Sequence, residues 1–109
     1  MPPRHPLQDD SAWYLRHPER EYQYLSNAAN RGDCNTLLDA FKLGLPVDIR
    51  DKYFKTPLMI ASSNGDIETC EFLVECGADV NAYDNFKWTP LHHACNSGHL
   101  DSNLMILLF

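Results

Sequence analysis

Apolar side chains recur every three or four residues through the middle of the chain, which is the spacing of one face of an α-helix. The clearest stripe consists of Ile67, Cys70, Leu73 and Val74. A shorter stripe, Leu58 and Ala61, precedes it, and Gly65 lies between the two, where a left-handed residue can end the first helix. This pattern predicts an all-α unit of loop, helix, turn and helix.

The pattern returns after 33 residues without a gap. The stretch 51–58 recurs as 84–91, and a backward shift matches further residues of the first unit, among them Leu25, Ala28, Gly32 and Gly44. We therefore divide the chain into an extended Pro-containing arm at 1–17, units at 18–50 and 51–83, and an incomplete unit at 84–109. Because one helix pair cannot bury its apolar face alone, the units are expected to stack.

Two stretches carry a family signature. Thr89-Pro90-Leu91-His92-His93-Ala94 matches Thr-Pro-Leu-His-x-Ala in full, and Thr56-Pro57-Leu58-Met59-Ile60-Ala61 departs from it only at Met59. The chain thus resembles the ankyrin-repeat family. The resemblance implies a solenoid of about two and a half stacked repeats with 18–50 as the N-terminal cap, and it implies non-catalytic protein binding.

A narrower resemblance rests on the stretches 5–14, 53–59 and 84–92. These are similar to the C-terminal ankyrin array of the ankyrin repeat and EF-hand domain-containing family. That resemblance implies a scaffold role in cilia or sperm flagella. The chain has no Asp-x-Asp-x-Asp-Gly loop, so no calcium site is implied here.

Charge and composition narrow the classes of partner. The formal net charge of −6 argues against nucleic acid and against anionic membranes, since both need clustered Lys and Arg. The N-terminus lacks the apolar stretch of a signal peptide, and the cysteines form no CxxC pair. We expect an intracellular, cytoplasmic chain with reduced thiols, no cofactor and another protein as its partner.

Two departures from the repeat affect the expected structure. Phe54 and Lys87 stand where the family has a left-handed Gly, which favours a different turn at the loop tips. The chain also ends in six apolar residues, and the 33-residue shift puts Leu104 and Leu108 at the solvent-facing places of Glu71 and Glu75. We expect the array to be cut after about Ser102 and the tail to allow self-association through Leu104, Leu108 and Phe109.

The clustered histidines and cysteines suggest a metal site as an alternative. The candidates are His92, His93, Cys95 and His99. The repeat explains His92 and His99 without a metal, because both occupy family positions, and the ligand spacing is not that of a zinc site. The cysteines fall at apolar positions of the repeat, so no catalytic thiol, and no enzyme, is predicted.

The predicted binding surface combines loop tips with the concave face of the first helices. The tips carry Tyr53, Phe54, Lys55, Tyr83, Phe86, Lys87 and Trp88, and the helices present Ser62, Ser63, His93 and Asn96. Aromatic side chains are enriched at protein interfaces. For Trp88, packing against the next loop is an equal alternative. A further alternative is that so short an array is a truncated isoform or fragment with no independent role.

Overall fold

The computed structural model describes residues 18–109, with side chains described from Tyr22 onward. This part of the chain is all-α, with no strand. Its helices are α1 (Pro18–Arg31), α2 (Cys34–Lys42), α3 (Pro57–Ser63), α4 (Ile67–Glu75), α5 (Pro90–Asn96) and α6 (Ser102–Leu108). The third unit therefore contains both helices of a pair, where the sequence predicts an incomplete unit. The arm at 1–17 lies outside the described residues.

Each first helix begins as the Thr-Pro-Leu motif predicts. The Thr56 and Thr89 side chains accept hydrogen bonds from the backbone N–H three residues on, and Pro57 and Pro90 occupy the first helical position. A proline fits there because its missing N–H would have no partner inside the helix. The caps explain why α3 and α5 start at the same place in successive units.

The second helices α2 and α4 are capped by aspartate. The Asp33 and Asp66 carboxylates accept the N–H of Thr36 and Thr69, and each also accepts the threonine hydroxyl, at 2.7 and 2.6 Å. One aspartate thus satisfies a backbone donor that the helix leaves unpaired and fixes the threonine side chain beside it.

The helices pack in two layers around one continuous core. In one layer α3 packs between α1 and α5, while α4 and α6 pack together in the other. The buried apolar residues run from Leu25 in α1 to Leu108 in α6. Within the layer of second helices, α2 contacts α4 through the rings of Phe41 and Phe72, which stack with centroids 6.4 Å apart. Stacking therefore buries the faces that a single unit would expose.

The last helix follows the repeat in a shifted register. Its N-cap, Asp101, lies 35 residues after Asp66, the N-cap of α4. The side chains of Leu104 and Leu108 therefore take the buried places of Thr69 and Leu73. The expectation that both leucines face solvent is wrong, because α6 begins two residues later than a 33-residue shift implies.

This register also changes the expected surface for self-association. Leu104 is 1% exposed and Leu108 is 3% exposed, so neither offers an apolar surface. Of the three residues proposed for self-association, only Phe109 is exposed. No helix among residues 18–109 combines the length and the apolar character needed to cross a membrane.

Candidate functional site

Two loops between the units, at 50–55 and 83–88, have the same backbone hydrogen-bond scaffold. Asp51 Oδ1 accepts the N–H of Tyr53 and of Lys55, at 2.8 and 2.9 Å. Asp84 Oδ1 does the same for Phe86 and Trp88, at 2.8 and 3.1 Å. An aspartate that holds two later N–H groups fixes a tight turn, so each tip has a defined shape.

In each tip, the residue three positions after the aspartate is left-handed although it is not glycine. Phe54 has a φ of 68° and Lys87 a φ of 66°. The sequence-based expectation of a different turn is therefore wrong. The aspartate scaffold holds the tip in the family geometry, and the chain accepts the strain of a Cβ in the left-handed region.

The two tips are joined to each other. Arg50 Nη1 donates to the carbonyl oxygens of Phe54 and Tyr83, both at 2.8 Å, and the N–H of Asn85 donates to the Tyr53 carbonyl at 3.2 Å. The guanidinium also lies 5.0 Å from the centre of the Phe54 ring. These contacts make the tips one continuous edge of the stack.

The tips present aromatic rings with lysines beside them. Tyr53, Phe54, Tyr83 and Phe86 are 50%, 52%, 51% and 71% exposed. Lys52 and Lys55 place their ammonium groups 5.1 and 6.0 Å from the centre of the Tyr53 ring, and Lys87 lies 4.7 Å from that of Tyr83. We call the set of Lys52–Lys55, Tyr83, Phe86 and Lys87 the tip surface.

A pocket lies between the tip surface and the first helices. Its volume is about 530 Å³. It is lined by Lys55, Ser63, Asp84, Phe86, Trp88, His93 and Asn96. Only Asp84 is absent from the binding surface predicted from the sequence. Pockets of a few hundred Å³ with apolar walls and a few polar groups are the usual form of a ligand site.

The floor of this pocket is a buried carboxylate and an imidazole. Asp84 is 2% and His93 is 6% exposed, and His93 Nε2 lies 2.8 Å from Asp84 Oδ2. The Trp88 ring meets the His93 ring edge-on, with centroids 5.3 Å apart. Burial raises the pKa of Asp84, but hydrogen bonds from Trp88, His93 and Phe86 outweigh it, so that pKa lies below its ordinary value.

The Trp88 ring packs on His93 of its own unit, not on the next loop, and it also forms a wall of the pocket. Asp84 could have been found from the 33-residue match with Asp51, which points to a common loop role. Its pairing with His93 has no such signal, because Ile60 occupies the matching position of the preceding unit.

Ser62 does not belong to the surface where the sequence placed it. Its side chain is fully buried, and its hydroxyl donates to the Leu58 carbonyl at 2.6 Å and lies 3.6 Å from the Cys70 sulfur. The exposed side of α3 is displaced by one residue, to the half-buried Ser63. His93 is likewise buried rather than presented on the helix face, since Asp84 and Trp88 cover it.

The histidines and cysteines that suggested a metal site are dispersed among structural contacts. His92 Nδ1 accepts the N–H of Thr89 at 3.1 Å and completes the cap of α5. His99 packs on Gly65, which has a φ of 68° and where an added Cβ would lie 2.5 Å from the His99 Nδ1. Within residues 18–109, no group of three or more His, Cys, Asp or Glu side chains is placed to hold a metal ion.

Two of the described thiols, Cys70 and Cys76, have a raised pKa in the fold. Burial raises the pKa of Cys70 to about 11 and also raises the pKa of Cys76. A thiol with a raised pKa is a poor nucleophile at neutral pH, because the thiolate is the reactive form.

Comparison with known families agrees with this architecture. A family model for ankyrin repeats, comprising three copies, matches residues 25–108. The match includes α6 and extends beyond Ser102, where the sequence suggested that the array ends. Ankyrin repeats in general mediate protein–protein interaction and in general are not catalytic. The matched residues cover most of the sequence, namely the second half of α1 and all of the five helices that follow, so the chain belongs to the ankyrin-repeat family.

Proposed function

We propose that this chain is a non-catalytic binding module that holds a segment of a partner protein between the tip surface and the first helices. The observation that carries the proposal is the pocket of about 530 Å³ at that place, since exposed aromatic and basic side chains surround it. Rigid aromatic side chains give large contact areas at a small entropic cost, which makes them frequent hot spots of protein binding.

The tip surface is also prepared for binding by its own contacts. The aspartate turns and the Arg50 bridge fix the backbone of both tips before any partner arrives. A surface fixed in advance loses less conformational entropy on association, so more of the contact energy contributes to affinity.

The test is a binding selection with matched variants. A phage library that displays segments tiled across a natural proteome is selected on the intact 109-residue chain. The affinity of each selected segment is then measured for the wild type, for Phe86→Ala and for Leu38→Ala. Leu38 is an exposed apolar residue of α2 that does not line the pocket, so it is the matched control.

We expect Phe86→Ala to weaken binding by about tenfold or more, as removal of an interface hot spot does, and Leu38→Ala to leave it unchanged. Segments that bind both variants as well as the wild type would place the binding surface elsewhere and contradict the proposal.

The narrower resemblance extends this proposal to the role of the protein in the cell and to its location there. The stretches 5–14, 53–59 and 84–92 support a scaffold role like that of the ankyrin repeat and EF-hand domain-containing family, in the cytoplasm or in a cilium or flagellum. Fluorescence microscopy of the tagged chain in ciliated cells tests it. Signal that avoids the axoneme would contradict the ciliary part.

A further inference from the structure

We infer that the partner segment is an acidic, extended peptide that inserts one apolar side chain into the pocket and places carboxylates on the lysines of the tips. The inference rests on the proposed function and adds the chemistry of the ligand. It follows from three features of the site: the unpaired cations, the shape of the pocket and the spacing of the two tips.

The cations of the tips have no carboxylate partner within the described part of the chain. The ion pairs there join Arg31 to Asp33 and His93 to Asp84, and neither involves Lys52, Lys55 or Lys87. Instead, the three ammonium groups lie beside the exposed faces of Tyr53 and Tyr83. Contact with a ring leaves an ammonium group free to accept an anion on its outer side.

The acidic residues of the tips do not neutralise these lysines. Asp51 directs Oδ1 to two backbone N–H groups of its own turn, and Asp84 is buried against His93. The outward face of the tips is therefore positive, although the whole chain carries a formal net charge of −6. A negatively charged segment is thus steered to this edge and repelled by the rest of the surface.

The pocket determines the apolar part of the ligand. Phe86, 71% exposed, lines its rim, and the half-buried Trp88 forms a wall. The volume of about 530 Å³ accommodates one large aliphatic or aromatic side chain together with its backbone. Such a side chain would cover Phe86 and remove apolar surface from water, which is the main source of affinity here.

The distance between the two tips determines how far apart the acidic residues of the peptide should lie. Lys55 belongs to the first tip and Lys87 to the second, and packed helices of neighbouring units lie about 8–10 Å apart. An extended chain advances about 3.3 Å per residue, so two carboxylates about three residues apart can reach both lysines. The predicted motif is an acidic residue, an apolar residue and a second acidic residue within one short extended segment.

The selected segments described above test this chemistry with three further variants. Lys55→Gln and Lys87→Gln keep the length of the side chain and remove its charge, and Lys42→Gln removes the same charge from the end of α2, outside the pocket. We expect the Phe86-dependent segments to be enriched in Asp and Glu around one apolar residue. We expect each tip variant to weaken them by about 2- to 5-fold, and Lys42→Gln to have no such effect.

Measuring affinity at increasing salt concentration separates the contribution of the charges to binding from that of the apolar contacts, because salt screens exposed ion pairs. The wild type is expected to lose affinity with rising salt, while the Lys55→Gln/Lys87→Gln double variant is expected to show a smaller loss. A labelled oligodeoxythymidylate is the probe for nucleic acid. Binding of this probe to the wild type as tightly as the best peptide would overturn the inference.

The outcomes distinguish the two proposals. Segments that depend on Phe86 but lack acidic residues, or that bind the tip variants as well as the wild type, would overturn the acidic ligand and leave the binding function in place. A selection with no Phe86-dependent segment would overturn both.

Discussion

Asp51 and Asp84 occupy the same position in successive units and share one structural role, but Asp84 has a second role as well. Both hold the turn of a loop tip through two backbone N–H groups. Only Asp84 also meets an imidazole, because His93 stands where the preceding unit has Ile60. The turn is therefore a property of the repeat, while the buried Asp84–His93 pair belongs to the pocket and anchors its floor.

This pair predicts an acid-dependent loss of stability. The pKa of Asp84 is lowered in the folded chain, so its stabilising contribution is present above the ordinary value of 3.8 and is lost as the pH falls through the folded value. In Asp84→Asn, the free energy of unfolding from urea titration should be about 1–3 kcal/mol lower at neutral pH. It should also fall less than that of the wild type from pH 5 to pH 3, around that ordinary value.

Asp39→Asn is the control, since it removes an exposed carboxylate of α2. It should follow the wild type at every pH. An Asp84→Asn variant that loses as much stability on acidification as the wild type would contradict the role given to this carboxylate.

The left-handed tip residues predict a stabilising substitution. Phe54→Gly relieves the Cβ strain of a residue at φ 68°, worth about 1–2 kcal/mol, and loses the Arg50 contact, worth about 0.5 kcal/mol. We expect a net gain of up to about 1 kcal/mol in the free energy of unfolding, measured in urea. The neighbouring Tyr53→Gly has no such strain to relieve and should destabilise by about 0.5–1 kcal/mol. Equal effects of the two substitutions would contradict this account.

At the scale of the element, the start of each helix could be read from the sequence where a cap stands at a repeated position. Thr56 and Thr89, 33 residues apart, predict α3 and α5 correctly because the cap and the following proline fix the first turn. The start of α6 could not be read in this way. Leu100 precedes the true cap, Asp101, and the local capping geometry overrides the register of the repeat.

The register of α6 predicts which apolar side chains of this helix contribute to stability and which do not. Leu104→Ala and Leu108→Ala should each lower the free energy of unfolding by about 2–4 kcal/mol, since both side chains lie in the core. Ile106→Ala removes a similar side chain that is 77% exposed and should change stability by less than about 0.5 kcal/mol. Urea unfolding of the three variants decides the register, because the 33-residue shift would instead put Ile106 at the buried position of Leu73 and make Ile106→Ala the costly variant and the leucine variants mild.

At the scale of the whole molecule, the fold was predictable because period, caps and apolar stripes agree with one another. The place of the pocket and most of its lining residues were predictable, since loop tips and first helices lie on one side of any such stack. How deeply each of these side chains is buried could not be predicted from the sequence. Ser62 and Ser63 are adjacent serines, and only the packing of α3 against α4 shows that Ser62 is buried and that Ser63 lines the pocket.

The continuous core predicts that the stack unfolds as one unit. Buried residues from Leu25 to Leu108 form a single cluster. A substitution that destabilises the first unit should therefore also lower the stability of the third. In a Trp13→Phe background, Trp88 is the sole tryptophan and reports on the third unit. Leu37→Ala, in α2, should then shift the urea midpoint of Trp88 fluorescence and that of far-UV circular dichroism by the same amount. A fluorescence midpoint that stays in place while the dichroism midpoint falls would mean that the units unfold independently, and the pocket in the third unit would then not need the first.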